Sequence, residues 1–328
     1  MDGGGDDIFV YLGGEQEVPR EITHAIIDPS VKCVGMRAFA DRRQLATVIF
    51  HDGVEIVEEE AFQDCGSLSG KIKLLGVREI HDNAFDDCVA LSDVEFGDKL
   101  ELIGIEAFSG CSMRSVKIPA LRGTHSWAFS WCRHLTDVEF GINLETLGVG
   151  TFYNCPNLER IAIPLKDNLF YLRSNEFRQW YDQFEGCYNL RTVDIVGAEG
   201  MHKTISSLLL ESWKDEMNKE INRINQVLPS IRHFEKTNSI RRWVRLVIDK
   251  MEHYKAEHNR ILKEHMTQLE LAIWKAKLER DDDSTQKVEA KRVKIDVLSM
   301  RKEKRITSGA DIIIKNVLPF LKLAEMGM

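Results

Sequence analysis

Phenylalanine recurs at a nearly constant interval through the first 200 residues of the chain. Four of the intervals are 23 residues long, one is 21 and the last is 32. A fixed period in the twenties is typical of proteins in which one structural coil per repeat stacks on the next as a solenoid. The pattern therefore predicts a repeat architecture with a binding surface rather than a catalytic cleft. The phenylalanines that set the period are Phe39, Phe62, Phe85, Phe108, Phe129, Phe152 and Phe184.

Six cysteines occupy one position of this repeat, three residues after a phenylalanine. Cysteine is among the most frequently buried residue types and packs as a small apolar side chain. No two cysteines have the C-x(2–4)-C spacing of zinc ligands. We therefore expect a buried column of reduced thiols, and neither disulfides nor a metal site. These cysteines are Cys65, Cys88, Cys111, Cys132, Cys155 and Cys187.

Short alternating segments follow the cysteine position of each coil. In DVEF at 93–96, two apolar side chains alternate with Asp93 and Glu95. Alternation with a period of two predicts a strand with one buried face and one outward face. Mostly apolar residues eight and five positions ahead of the phenylalanines from Phe39 to Phe152 predict a second extended piece, and the Ala-Phe pair predicts a tight helical turn.

The combination of an apolar pair, Ala-Phe, Cys, Leu and a strand resembles the BspA-like leucine-rich repeat family over about residues 20–197. The resemblance implies a right-handed leucine-rich repeat solenoid of about seven β-rich coils with short helical turns. It also implies that the solenoid is used for protein–protein contact and carries no catalytic residues. The first coil departs from the pattern, because Arg42 stands in place of the cysteine, as expected of a capping coil.

The outward residues of the predicted strands form two columns, with neighbouring strands about 4.8 Å apart. In the middle of the solenoid their charges alternate in sign from strand to strand. One interpretation is a self-neutralising ladder that keeps the sheet soluble and in register, and the other is a charge-patterned groove that selects a partner protein. Positive charge is interrupted at every second strand, which disfavours a nucleic-acid groove. The candidate binding residues are Lys71, Lys73, Asp93, Glu95, Lys117, Asp137, Glu139 and Arg160.

Two apolar residues, Ile26 and Ile49, occupy neighbouring outward positions at the N-terminal end of these columns. Apolar side chains that face water are unfavourable unless another element buries them. We expect the segment IFVYL at 8–12 to cover them.

After the repeats, the apolar period changes from two to about 3.6, which predicts helices. One amphipathic helix is predicted over 201–228, with Leu209 on its apolar face and Pro229 at its end. A second helix begins near Thr237 and continues without Gly or Pro to about residue 280. The two are predicted to form an intramolecular hairpin, and the alternative is pairing with a second copy of the chain.

These patterns divide the chain into five segments. Residues 1–20 form an N-terminal segment or cap, 21–199 the solenoid and 200–280 the helical hairpin. Residues 281–306 are highly charged and are predicted to be a flexible linker, whereas 307–328 are predicted to form an apolar helix. We favour docking of that last helix back on the solenoid, and the alternative is its presentation to a partner.

Composition and motifs disfavour several classes of function. The net charge of −8 disfavours nonspecific nucleic-acid binding, and no segment approaches the ~20 apolar residues of a membrane span. The chain has no phosphate loop, nucleophile elbow or H-E-x-x-H motif, so we predict neither an enzyme nor a cofactor. His253, His258 and His265 lack the i, i+4 spacing of helical metal ligands. The insertion Tyr171–Phe184 is the one candidate place for an enzyme site.

The order of the segments, with HKTISSLLLESW at 202–213 after the solenoid, is similar to that of a group of leucine-rich repeat proteins found in diatoms. That resemblance implies an intracellular or nuclear interaction protein. The N-terminal residues lack the pattern of a secretory signal, which also favours a cytoplasmic or nuclear location. The leading hypothesis is a noncatalytic scaffold that binds an unidentified protein through the repeats, and the alternative is homo-oligomerisation through the long helices.

Replacing Lys73 with glutamate tests whether the outward columns are correctly assigned. Lys73→Glu places like charges side by side with Glu95, and the free energy of unfolding is expected to fall by about 0.2–1 kcal/mol. Thermal unfolding followed by circular dichroism measures the change. An unaltered melting temperature would show that the two residues are not neighbours.

Overall fold

The computed structural model describes residues 8–170 and 182–285, with side chains as far as Lys277. Within these residues, strands and tight turns form the chain up to Val196, and helices form most of the part from Ala198 to Thr285. The predicted linker from residue 286 and the predicted helix over 307–328 lie outside the described residues. So do residues 171–181, which include most of the insertion before Phe184.

One strand of each coil contributes to the ladder predicted from the alternating segments. Neighbouring strands are parallel, because each is joined to the next by one complete coil. The strands pair as three sheets, β1-β2-β4, β6-β8 and β10-β12-β14-β15. Their bounds are β1 Phe9–Tyr11, β2 His24–Ile27, β4 Thr47–Ile49, β6 Ile72–Leu74, β8 Val94–Phe96, β10 Ser115–Ile118, β12 Asp137–Phe140, β14 Arg160–Pro164 and β15 Thr192–Val196.

The second extended piece of each coil is a two-residue strand, also as predicted. Six of these strands pair in parallel as one sheet in the order β13-β11-β9-β7-β5-β3. The tight turn around each phenylalanine closes the coil. The short strands are β3 Cys33–Val34, β5 Ile56–Val57, β7 Glu79–Ile80, β9 Leu102–Ile103, β11 Gly123–Thr124 and β13 Thr146–Leu147.

The repeated phenylalanines form a continuous buried stack along the axis of the solenoid. Ring centroids of successive coils lie 4.8 to 5.8 Å apart, and the planes deviate by at most 9°. This spacing is close to the separation of neighbouring strands, so each ring contacts the next without distorting the coils. The seven rings delimit six turns of the solenoid. Tyr11 closes the N-terminal end, with its ring 5.1 Å from that of Phe39.

The repeated cysteines form the predicted buried column of free thiols. Each of the six donates a hydrogen bond from Sγ to the carbonyl oxygen of the phenylalanine in the preceding coil, at 3.0–3.3 Å. Burial raises the pKa of Cys65 and of Cys187 to about 12. Because the thiolate is the reactive form of cysteine, the raised pKa of Cys65 and Cys187 disfavours their reaction with oxidants and metal ions.

Arg42 occupies the cysteine position in the first coil and terminates the column. Its Nε and Nη2 donate to the carbonyl oxygen of Val18 at 3.1 and 2.5 Å. The longer guanidinium side chain therefore satisfies a backbone acceptor in the N-terminal segment, where no complete coil precedes. This contact agrees with the capping role predicted for the first coil, in which Arg42 replaces the repeated cysteine.

The helices begin directly after the last ladder strand. They are α1 Ala198–Ser206, α2 Glu211–Val227 and α3 Lys236–Thr285, and α3 continues into the segment predicted as linker. The single helix predicted over 201–228 is therefore interrupted. Ser207 leaves the helix while its Oγ donates to the carbonyl oxygen of Thr204 at 2.7 Å, a contact that competes with helical hydrogen bonds. As a result, Leu208 rather than Leu209 is buried.

The predicted hairpin is formed by α2 and the first part of α3. The rings of Trp213 and Tyr254 stack at 5.2 Å, and Trp243 donates from Nε1 to the carbonyl oxygen of Glu220 at 2.9 Å. These contacts confirm pairing within one chain. The described chain as far as Tyr254 forms one compact unit, and the part from Lys255 to Thr285 belongs to a second.

Each coil also supplies hydrogen-bond acceptors to the coil before it. The backbone N–H of Phe85 donates to the carbonyl oxygen of Ala107 at 2.8 Å, and that of Asp87 donates to Ser109 at 2.9 Å. The last coil has no successor, and side chains of the helical region replace it. Phe184 N donates to Thr237 Oγ1 at 3.2 Å, and Gly186 N donates to His233 Nδ1 at 3.1 Å.

Two further side chains complete this C-terminal cap. Lys236, which is 1% exposed, donates from Nζ to the carbonyl oxygens of Cys187, Tyr188 and Leu190 at 2.7–2.9 Å. Burial lowers the pKa of Lys236. Asn225 accepts from Val193 N at 2.8 Å and donates to Val193 O at 3.2 Å, as a neighbouring strand would. The helical region thus satisfies the open backbone edge that would otherwise be buried without partners.

We predict that Lys236→Met lowers the free energy of unfolding by about 2–4 kcal/mol, because three buried carbonyl oxygens lose their donor. Urea unfolding of the full chain measures the change. Lys219→Met on the exposed side of α2 is the control, with an expected change within about 0.5 kcal/mol. Equal effects of the two substitutions would contradict the capping role of Lys236.

Candidate interaction surface

The outward residues of the ladder strands, called here the ladder face, lie side by side within each sheet as predicted. The two columns are divided among the three ladder sheets rather than paired without interruption. Charged residues level with one another are Lys73 with Glu95, Lys117 with Glu139, and Asp137 with Arg160.

Ion pairs connect several of these residues across the strands. Lys71 Nζ lies 3.1 Å from Glu95 and 3.9 Å from Asp93, and Lys117 Nζ lies 2.9 Å from Glu139. The hydrogen bond to Glu95 and the charges of Asp93 and Glu95 raise the pKa of Lys71. The same hydrogen bond and the charge of Lys71 lower the pKa of Glu95. Ion pairs between exposed side chains contribute about 0–1 kcal/mol each, so these pairs influence register more than stability.

Arg160 has the largest number of charged neighbours among the candidate residues. Its guanidinium lies 2.6 Å from Asp194, 3.1 Å from Asp137 and 4.0 Å from Glu139. The side chain therefore joins three neighbouring strands, β12, β14 and β15. This arrangement is the one expected of a self-neutralising ladder.

Lys73 differs from the other cations of the ladder face. It is level with Glu95, but the ion pair of Glu95 is made diagonally by Lys71. Within the described part of the chain, Lys73 forms no ion pair, although its charge helps to lower the pKa of Glu95. The ammonium of Lys73 is therefore the ladder cation most available to a carboxylate on another protein.

The N-terminal end of the ladder face is apolar and open to solvent. Strand β1 pairs with the edge of β2, which places Val10, Ile26 and Ile49 level with one another. The expectation that the segment at 8–12 covers Ile26 and Ile49 is wrong, because β1 extends the sheet instead of lying over it. Ile49 is 58% exposed and Val10 44%. The short apolar run over 8–12, ended by Gly13 and Gly14, is the sequence signal for this strand.

The remaining predicted residues do not form a site. His253 and His265 are exposed on α3, and burial lowers the pKa of His258. Among residues 8–170 and 182–285, no group of His, Cys, Asp or Glu is arranged to hold a metal ion. In the same ranges, no helix combines the length and apolar character needed to cross a bilayer. Most of the insertion Tyr171–Phe184 lies outside the described residues.

Comparison with known proteins gives a family and a group of similar structures. Six copies of the BspA type leucine-rich repeat region match residues 19–121 and 70–184. A leucine-rich repeat protein of T. pallidum is 24% identical, with 57% of this chain and 73% of that chain covered at a TM-score of 0.37. A leucine-rich repeat protein from Bacteroides ovatus is 19% identical, with 58% and 69% covered at a TM-score of 0.31. No curated protein matches the sequence.

Proposed function

Because the chain belongs to the BspA-type leucine-rich repeat family, we propose that it is a noncatalytic scaffold whose ladder face binds a partner protein inside the cell. Leucine-rich repeat solenoids are generally interaction scaffolds. The observation that carries the proposal is the apolar cluster Val10, Ile26 and Ile49, with Val10 and Ile49 exposed and Ile26 half-buried, at one end of a charged surface.

The ladder face has the composition of a protein-binding surface. Interfaces between proteins combine an apolar centre with a polar and charged rim. The apolar cluster at the N-terminal end supplies the apolar part, and the charged residues from Lys71 onward border it on one side. Because strand hydrogen bonds hold the backbone, little conformational entropy is lost when a partner binds.

The alternating charges supply selectivity rather than affinity. A partner whose charges match those of Lys73, Lys117 and Glu139 is favoured, and a partner with like charges in register is rejected. Lys73 forms no ion pair in the described part of the chain, so its ammonium can bind a carboxylate of the partner without breaking an internal pair. A partner with an apolar centre and a neighbouring acidic residue fits this surface.

Photocrosslinking from the ladder face tests the proposal. We expect a benzoylphenylalanine at position 49 to crosslink a defined protein in cell lysate, identified by mass spectrometry. The matched control carries the same group at position 36, where Met36 is 60% exposed against 58% for Ile49 but lies outside the ladder strands. The full chain is used, because truncation after the solenoid would remove the C-terminal cap.

The two positions give distinguishable outcomes. A protein captured from position 49 and not from 36, and lost when Lys73→Glu is added, supports recognition by the ladder face. Equal capture from both positions, or capture from 36 alone, would contradict it.

Assembly through α3 is a second candidate function, favoured by the exposed apolar residues of its second part. Leu271 is 64% exposed and Ile273 43%. Leu262, Met266, Leu269 and Ile273 follow one another at intervals of four, three and four residues, which is the spacing of a coiled-coil seam.

Light scattering of the full chain separates assembly from a monomeric scaffold. If α3 drives assembly, the mean molar mass rises with protein concentration, and Leu269→Glu with Ile273→Glu returns the mass to that of a monomer. A constant monomer mass across the concentration range would exclude the assembly candidate and leave the ladder-face proposal intact.

A further inference from the structure

The turns around the phenylalanines contain two tryptophans that the backbone does not favour. Each turn from Phe39 to Phe152 has a left-handed residue two positions before its phenylalanine and another two positions after it. Around Phe129, these residues are Trp127 at φ 57° and Trp131 at φ 58°. The later position holds Asp, Asn or Gly in the neighbouring coils, which tolerate this conformation better than bulky side chains do. Residues that oppose local preference are expected at functional sites.

A groove of about 710 Å³ crosses the stacked turns beside these tryptophans. One wall carries three carboxylates, Asp86, Asp87 and Glu106, and the facing coils contribute three aromatic rings, Trp127, Trp131 and Tyr153. We call this feature the aromatic–acidic groove. Among the residues that the structure describes, no lysine, arginine or histidine lines it.

Small residues of the intervening coil create the space. Ser109 lines the groove, and Gly110 stands between Asp87 and Trp131 in the column of left-handed residues. A Cβ atom at Gly110 would lie 2.5 Å from Asp87 Oδ1, so a side chain there would collide with the carboxylate. The gap therefore depends on glycine at this position.

The aromatic wall is held by packing and already binds one cation. The rings of Trp131 and Tyr153 meet edge to face at 5.9 Å, and Trp131 remains 42% exposed. The guanidinium carbon of Arg133 lies 5.5 Å from the centroid of the Trp131 ring, within the range of a cation–π interaction. Gly150 makes room for Trp127, because a Cβ there would lie 2.3 Å from Trp127 Cδ1.

The acidic wall is not neutralised as the ladder face is. Among the residues that the structure describes, none of Asp86, Asp87 and Glu106 has a basic group within ion-pair distance. Asp86 accepts a hydrogen bond from Gln63 Nε2 at 3.3 Å. Burial, and then the charges of Asp87 and Glu106, raise the pKa of Asp86 to about 6. A cation in the groove would compensate these carboxylates.

We propose that the aromatic–acidic groove binds a lysine or arginine side chain of a basic, extended segment of another protein. The carboxylates supply charge-assisted hydrogen bonds, and the aromatic faces contact the cationic head and its aliphatic stem. This second recognition site lies on the stacked turns and not on the ladder strands. It therefore goes beyond the proposed function and does not depend on it.

Calorimetric titration of the full chain with short capped peptides tests the groove. The probes are Gly-Arg-Gly-Arg-Gly, its lysine counterpart and a citrulline counterpart that keeps the shape of arginine without its charge. We expect the arginine and lysine peptides to bind, and the citrulline peptide to bind at least about tenfold more weakly.

Two variants each replace one residue, in the aromatic wall or in the acidic wall, by a residue that tolerates the left-handed backbone conformation. Trp131→Asn introduces the residue type found at the equivalent position, Asn154, and Asp87→Asn removes only the charge. Both are expected to weaken arginine-peptide binding about tenfold. Because asparagine tolerates the left-handed conformation, Trp131→Asn should leave the melting temperature unchanged or raised, which separates loss of binding from loss of folding.

A matched control and a ladder variant decide between specific and general attraction. Asp64→Asn removes a carboxylate at the same repeat position outside the groove, and Glu139→Gln removes one from the ladder face. Neither is expected to change peptide affinity. Equal weakening by all of the carboxylate variants, full affinity in Trp131→Asn, or equal binding of the citrulline peptide would overturn the proposal.

Discussion

Backbone hydrogen bonding between successive coils is the constraint on which the rest of this structure depends. Each turn donates N–H groups to carbonyl oxygens of the next coil, and each repeated thiol donates back to the preceding one. A coil cannot satisfy its own buried polar groups, so both ends of the stack require other partners. Arg42 serves at the first coil, and Lys236 and Asn225 serve at the last. The helical region is therefore part of the solenoid's stability and not only an attachment to it.

Features that recur could be predicted from the sequence, because each recurrence reports the same environment again. The burial of Phe85 or Cys88 follows from a position that is filled alike in neighbouring coils, and the hairpin follows from a stripe with helical spacing. Features that occur once could not be predicted in this way. Lys236 is a lysine in a charged stretch, and its burial is visible only when the last coil lies beside it. The interruption at Ser207 likewise depends on how the chain turns after α1.

The candidate surfaces also combine features that the sequence predicts with features that depend on the folded structure. The period of two predicts which residues of neighbouring strands lie level on the ladder face. It does not predict ion pairs, because long side chains also reach diagonally, and Glu95 pairs with Lys71 rather than Lys73. Val10 joins the apolar cluster because β1 adds to an edge of the sheet, and the apolar run over 8–12 permits this arrangement without requiring it. Trp131 interrupts a column of Asp, Asn and Gly in the sequence, yet the reason for that column is the left-handed backbone, which only the structure displays.

The C-terminal cap contacts positions of the final coil, among them Phe184, Gly186 and Val193, and the Tyr11 ring contacts only the first ring of the stack. The contacts at each end are therefore independent of the number of coils between them. A duplication or loss of one internal repeat would leave both terminations intact while lengthening or shortening the ladder face by one strand. The aromatic–acidic groove lacks this freedom, because four successive coils each contribute a different part of it. Descendants of such a gene could vary in solenoid length, but only outside the coils from Phe85 to Phe152.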